Sequence, residues 1–252
     1  DKVIAVILAS GAGERAGHSL PKQFIKISGK TVLEHTLEAV ERCSLVDGIY
    51  VVVPPQFRHT AEAILERNRY KKVAKLLNGG DTRQESSRIA VNAVDDPQTK
   101  VLVHDAVRPF ISEEIIRNCI LALDTHPAVD VAIPASDTII RVDENQFISD
   151  IPNRATMFRG QTPQAFRAGV LQQAHMLALS DNASDFTDDC GLVLRYGLAP
   201  VYVVSGEQIT VEWTVTNVGT ETAGADWYVL RNTSASRVKL FLSLITAKVL
   251  IL

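Results

Sequence analysis

The chain has 252 residues, 46% of them hydrophobic and 22% charged, with a formal net charge of −3. That length and apolar share bury the core of one large domain, or of one domain with an appendage. Mild acidity and the lack of any block of basic residues argue against a nucleic-acid polymer as partner.

The first apolar run, residues 3–9 (VIAVILA), is too short to span a bilayer, which takes about 20 apolar residues, and no basic-then-apolar leader is visible. It reads as a buried strand. Helical patterns and further apolar runs then alternate. Residues 31–43 set Val32, Leu33, Leu37, Ala39 and Val40 against Glu34, Glu38 and Glu41. Strands are expected at 49–53, 100–103, 129–134 and 200–204, and helices at 60–68, 86–94 and after Ser112, where EEIIRNCILAL begins. Runs that are apolar throughout suit strands covered on both faces, so the alternation argues an α/β fold with a mostly parallel sheet. Residues 139–152 alternate apolar and polar around Asp-Glu-Asn, the pattern of a β-hairpin arm at about 136–155. Beyond 208 the chain is rich in Thr and Val, holds both tryptophans and reads as β-structure. A main domain of 1–208 is expected, with a tail, 209–252, able to complete it. The final VKLFLSLITAKVLIL is short and carries Lys239 and Lys248, as a packed element does and an anchor does not. Cys43, Cys119 and Cys190 are far apart, which fits a reducing cytoplasm and no zinc site. The sequence starts at Asp1 rather than Met, which leaves room for a longer chain.

Ligands in such sheets sit at the carboxyl ends of the strands. The stretch SGAGERAGHSLPKQF follows the first strand, and HDAVRP follows the strand at 101–103, so both face one crevice. Three phosphate-loop readings compete for the first stretch. The P-loop needs a lysine directly after its second glycine, and here Arg15 follows Gly11 and Gly13. The dinucleotide fingerprint needs GxGxxG and an acid ending the second strand; Gly17 comes one residue late and Val53 leads into Pro54 and Pro55. The third is a loop that wraps a nucleoside triphosphate with backbone N–H groups, aided by Arg15 and Lys22. An ordinary strand-to-helix turn with exposed cations is the bland alternative. Asp105 ends a buried strand, where a carboxylate can hold a hard cation bridging phosphates or can simply cap a turn. His104 is expected to bond locally.

In order along the chain, SGAGERAGHSLPKQF, NGGDTRQESS, VHDAVRPF, SDTII, DIPNRATMFRGQTPQAF and FTDDCGLVLRYG resemble the cytidylyltransferases that make CDP-ribitol or CDP-methylerythritol. The resemblance covers residues 3 to about 208. It implies a Rossmann-like α/β fold of the nucleotide-diphospho-sugar transferase type, with helices on both faces and an arm that exchanges between the subunits of a homodimer. It implies transfer of a cytidylyl group from CTP to a polyol phosphate, with Mg2+ or another divalent cation and release of pyrophosphate. The IPNR, RGQTPQAF and TDDC versions most resemble enzymes acting on D-ribitol 5-phosphate, which supply CDP-ribitol for cell-surface polysaccharide; the isoprenoid enzyme acting on 2-C-methyl-D-erythritol 4-phosphate is the alternative. Some relatives carry a fused reductase domain. The resemblance assigns catalysis to Arg15 and Lys22 and CTP binding to Ser10, Gly11, Ala12, Gly13, Gly79, Gly80, Asp81 and Ser86. It assigns the acceptor to Asp137, Thr138, Arg154, Thr162 and Arg108, and the metal to Asp105. Each has a structural alternative: a turn for the glycines, a salt bridge to a neighbouring acid for Arg108, an exposed hairpin for the arm. Arg83 is expected to support the loop or the triphosphate, Arg159 lies in the same motif as Thr162, and Asp188 and Asp189 are expected to orient that wall of the pocket.

The sequence departs from the family at two places. Ser10 stands where Ala or Gly is usual. After GEQ the family continues with a lysine that supports phosphate and metal, whereas here no lysine occurs between Gly206 and Arg237. A catalytically weakened nucleotide-binding or scaffold protein is therefore the expectation from another class.

Overall fold

The computed structural model describes residues 1–11, 20–183 and 186–207, and the backbone of three later strands. In chain order it contains β1 (Val3–Leu8), β2 (Lys26–Ile27), β3 (Lys30–Thr31), α1 (Val32–Arg42), β4 (Gly48–Val53), α2 (Arg58–Asn68), β5 (Val73–Asn78), α3 (Arg83–Asn92), β6 (Lys100–Asp105), α4 (Glu113–Ala122) and β7 (Ala128–Pro134). There follow β8 (Arg141–Val142), β9 (Ile148–Asp150), β10 (Phe158–Gly160), β11 (Gln164–Arg167), α5 (Ala168–Ser180), α6 (Asp189–Arg195) and β12 (Val201–Ser205). The chain divides into two compact units, one of Asp1–Ile25 with Thr31–Glu207, the other of Lys26–Lys30 with Gln208–Leu252. In the second, β13 (Trp213–Thr216), β14 (Trp227–Asn232) and β15 (Lys239–Ser243) form an antiparallel sheet in that order.

The first unit is built on one eight-stranded sheet of order β10-β7-β11-β6-β1-β4-β5, with β12 paired to β7. The pairs β1–β4, β1–β6, β4–β5 and β7–β12 are parallel, and β10 and β11 run antiparallel to their neighbours. The expected α/β fold with a mostly parallel, Rossmann-like sheet is thus present. Every residue of β1 is buried, because its two faces feed two cores. Val3, Ala5 and Ile7 join Leu33, Leu37 and Val40 of α1 and Ile115, Ile116 and Cys119 of α4. Ile4, Val6 and Leu8 join Ala90 and Val91 of α3, Leu171 and Ala174 of α5, and Leu192 of α6. Each Val, Leu or Ile so buried contributes roughly 1.5–3 kcal/mol, which fixes the strand firmly enough to aim the loop that leaves it.

Helix starts follow local chemistry. Thr31 and Glu34 form a capping box on α1: Thr31 Oγ1 accepts from Glu34 N at 3.2 Å, and Glu34 Oε2 accepts from Thr31 N at 2.7 Å. The helix expected at 86–94 instead begins at Arg83, because the Thr82 hydroxyl accepts from Glu85 N at 3.0 Å and caps it three residues earlier. Ser112 caps α4 through Ile115 N at 3.2 Å. The region 139–152 does form a hairpin, but its paired strands, β8 and β9, are only two and three residues long.

Candidate active site

From β1 the chain steps to β4 and β5 on one side, then returns to β6 on the other side of β1. Such a reversal opens a crevice at the carboxyl ends of the strands. A cavity of about 550 Å3 lies there, lined by Leu8 at the end of β1 and Ala9, Ser10 and Gly11 after it, Pro54, Pro55 and Gln56 after β4, Gly79–Arg83 after β5, and Asp105 at the end of β6 with Val107 after it, together with Gln23. Of the residues assigned from the sequence, it brings together Ser10, Gly11, Gly79, Gly80, Asp81 and Asp105. Ala12, Gly13 and Arg15 lie outside the described residues.

Gln23 was not singled out from the sequence, although it stands in the Pro-Lys-Gln that follows the glycine loop. It is buried, and its Nε2 donates to Ala9 O at 2.6 Å and to Gly11 O at 3.0 Å. One amide therefore clamps the carbonyls on either side of Ser10 and fixes how the loop leaves β1. Lys22, one residue earlier, opens a 3-10 turn, Lys22–Phe24, and is partly exposed; it is not among the residues that line the cavity.

Opposite the loop, Gly79 permits a close approach. A Cβ there would stand 2.6 Å from Ser10 Cβ, 2.9 Å from Ser86 Oγ and 3.3 Å from Val52 Cγ1. The buried Ser86 hydroxyl accepts from Gly80 N at 3.2 Å, and Asp81 N donates to Glu85 Oε2 at 3.0 Å. Ser86 thus sits behind the Gly79–Gly80 turn, on the first turn of α3. The Gly79–Gly80 backbone therefore forms this side of the cavity, a slot backed by the buried Ser86 hydroxyl, which does not itself line it.

The far wall is ionic. Asp105 Oδ2 accepts from Arg108 Nε at 3.2 Å, and its Oδ1 lies 3.5 Å from Arg83 Nε. Arg83 Nη1 donates to Asp189 Oδ2 at 2.8 Å, and Ser87 Oγ donates to Asp189 Oδ1 at 2.7 Å. Burial works to raise the Asp189 carboxyl, but His175, the Arg83 guanidinium and Ser87 outweigh it, and the group lies below its ordinary value. Burial works to lower Arg83, and Asp189 and Asp105 reverse that, raising it. Asp188 caps α6 through Gly191 N at 2.7 Å. Asp105 N donates to Thr162 Oγ1 at 3.3 Å. His104 bonds locally, as expected: its Nε2 lies 3.0 Å from Arg108 O and its Nδ1 lies 2.9 Å from Thr162 Oγ1. Since a carbonyl only accepts, Nε2 carries the proton and the Thr162 hydroxyl donates to Nδ1. Burial holds this ring neutral, pushing it down to about 4. Thr162 and Arg108 therefore gather around Asp105.

Asp137, Thr138 and Arg154 are exposed at the base of the hairpin and are not part of the cavity lining. Arg154 Nη1 donates to Ser136 O at 3.4 Å, and Ser136 Oγ donates to Asp137 Oδ2 at 3.4 Å. The exposed Arg159 lies on β10. Among the described residues no group of three or more His, Cys, Asp or Glu side chains could cage a metal. The cavity does hold two carboxylates, Asp81 and Asp105. One or two carboxylates plus substrate phosphates is how a Mg2+ ion is ordinarily held, so these residues fit a cation that arrives with a nucleotide. No helix among the described residues is long and apolar enough to cross a membrane.

The family described as 2-C-methyl-D-erythritol 4-phosphate cytidylyltransferase matches residues 3–228. The chain is 40% identical over 220 residues to the enzyme of that name from Thermobifida fusca, covering 84% of this chain and 88% of the other. It is 42% identical over 218 residues to a bifunctional ribulose 5-phosphate reductase/CDP-ribitol pyrophosphorylase of Haemophilus influenzae, covering 85% of this chain and 46% of that protein. Among solved structures, 4-diphosphocytidyl-2C-methyl-D-erythritol synthase from Anaerococcus prevotii superposes with a TM-score of 0.70 at 33% identity, covering 82% of this chain and 87% of that one.

Proposed function

Because the chain belongs to the 2-C-methyl-D-erythritol 4-phosphate cytidylyltransferase family, we propose that it transfers the cytidylyl group of CTP to 2-C-methyl-D-erythritol 4-phosphate and releases pyrophosphate. The observation that carries this reading is the meeting, in one cavity, of the glycine-loop entrance, the Gly79–Asp81 turn and Asp105. The acceptor phosphate is already ionised at neutral pH, so its oxygen attacks the α-phosphorus without a strong general base. What the protein must supply is alignment of two anions and offset of their charge.

In this reading the slot at Gly79, Gly80 and Ser86 takes the cytosine. Ser10, Gly11, Ala12 and Gly13 present backbone amides to the triphosphate, and Arg15 and Lys22 hold the leaving pyrophosphate. Asp105, which lines the same cavity as Asp81, would hold the divalent cation, which when bound offsets phosphate charge. Arg154, Asp137, Thr138, Thr162 and Arg108 hold the acceptor, the last two in contact with Asp105. The hairpin exposes Ile140, Val142, Phe147 and Ile148, and we assign this apolar surface to a homodimer in which the arm reaches the partner's site.

The acceptor differs from the preference drawn from the IPNR and TDDC motifs. The relatives from Thermobifida fusca and Geobacter metallireducens carry the methylerythritol phosphate name, and the Anaerococcus prevotii structure is named for a diphosphocytidyl-methylerythritol synthase; they weigh for it. D-ribitol 5-phosphate stands as the second reading, supported by the 42% identical Haemophilus relative. Pyrophosphate release from CTP with each acceptor decides. Turnover with methylerythritol phosphate is expected; turnover with ribitol phosphate alone selects the second reading, and CTP binding without turnover on either marks a weakened nucleotide-binding protein.

A further inference from the structure

Arg83 stands between two carboxylates in different settings. Its Nη1 donates to Asp189 at 2.8 Å, while its Nε is 3.5 Å from Asp105. Asp189 is fixed: its side chain is 1% exposed, it accepts from Ser87 Oγ at 2.7 Å, and its backbone N donates to Gln164 Oε1 at 3.0 Å. Asp105 lines the cavity with its side chain 26% exposed. The short, charge-assisted bond therefore goes to the carboxylate that cannot move and is shielded from water, where such bonds are strong. The longer contact goes to the carboxylate that faces the nucleotide.

We propose that Asp189 is a positioning residue of the nucleotide site: by holding Arg83 it limits the guanidinium's grip on Asp105 and keeps that carboxylate available to a divalent cation arriving with the triphosphate. This rests on the reading of Asp105 as the group that holds the cation. A guanidinium and a divalent cation compete for the same oxygens; Arg108 Nε holds Oδ2 at 3.2 Å, and Asp189 sets the balance at Oδ1, which is 3.5 Å from Arg83 Nε. Without its negative charge, Arg83 turns its full fork onto Asp105. The sequence leads to an expectation that Asp189 orients this wall of the pocket, but the ion pair is invisible in it because Arg83 and Asp189 are 106 positions apart.

The test is CTP affinity of the full chain by calorimetry, in EDTA and in saturating Mn2+; the ratio of the two affinities is the metal enhancement. In Asp189→Asn the enhancement falls about tenfold, an ordinary coupling between competing ligands, while affinity in EDTA stays within about twofold. Arg83→Lys keeps an ion pair with Asp189 but lacks the fork that reaches Asp105; it retains or increases the enhancement. The double variant Asp189→Asn/Arg83→Gln removes both members of the Arg83–Asp189 pair, so that neither is left buried without the other, and recovers the wild-type enhancement. Unchanged enhancement in Asp189→Asn overturns the positioning role. Should that variant not fold, the other two decide: a tenfold loss in either overturns it. A wild-type protein with no metal enhancement overturns the reading of Asp105, and the proposal with it.

Discussion

Gly79→Ala puts the nucleotide slot to a direct test. The added methyl would sit 2.6 Å from Ser10 Cβ, closer than real Cβ contacts come, and 2.9 Å from Ser86 Oγ. Ser86 Oγ is the end of a rotatable side chain. Ser10 Cβ is tied to backbone that Gln23 clamps on both sides. The strain must therefore move either the loop or the Gly79 turn. Overpacking of this kind costs about 1–3 kcal/mol, which lowers the melting temperature by roughly 2–4 °C per kcal/mol in a chain of this size. Displacement of the loop lowers CTP affinity about tenfold for each 1.4 kcal/mol of strain it must recover on binding. Calorimetry with CTP and a thermal melt read both quantities. Ser10→Gly in the same background removes the clashing Cβ and recovers most of both losses; Ser10→Ala keeps that atom and recovers neither. A Gly79→Ala protein with wild-type affinity and melting, or equal rescue by Ser10→Ala, would refute the reasoning.

Lys22→Ala removes a cation from the leaving pyrophosphate, and kcat for pyrophosphate release falls roughly 100-fold, a donor worth about 3 kcal/mol; unimpaired turnover removes Lys22 from the mechanism. Phe147→Glu with Ile148→Lys charges the apolar face of the hairpin and shifts the protein to a monomer in sedimentation velocity; an unaltered sedimentation coefficient withdraws the arm as the dimer contact. Burial works to raise the Glu34 carboxyl, but Thr31, Arg67 and Asn68 outweigh it and bring it from 4.5 to about 2. Its contribution is full above the unfolded value of 4.5 and is lost as pH falls toward 2. Glu34→Gln therefore costs about 2–3 kcal/mol in urea melts at neutral pH, and its deficit shrinks as the pH is lowered through that window; a deficit independent of pH would contradict the linkage.

The sheet was legible because buried parallel strands leave unbroken apolar runs, as at 49–53 and 129–134. β11 was not: its four residues, Gln164–Arg167, are too few for a period, and their placement between β6 and β7 comes from tertiary pairing. α5 has Ala and Leu on most sides, so its helical stripe is weak in the sequence. Gly11 and Asp105 were readable from motif chemistry, and Gly79 and Gly80 from the family resemblance. Gln23 and the Arg83–Asp189 bond were not assigned these contacts, since a clamp and a buried ion pair exist only once distant segments meet. The acceptor preference was drawn from short motifs, and identity over some 220 residues, 40% to a methylerythritol phosphate enzyme and 42% to a CDP-ribitol pyrophosphorylase, does not by itself separate the two acceptors.

Calorimetric titration of the full chain with CTP, ATP and UTP in the presence of Mg2+ tests most directly whether this cavity is a cytosine nucleotide site. Saturable CTP binding is expected, with ATP and UTP at least about tenfold weaker because the backbone of the Gly79–Asp81 turn reads the edge of the base by hydrogen bonds. Equal affinity for all three, or no binding of CTP, would contradict it.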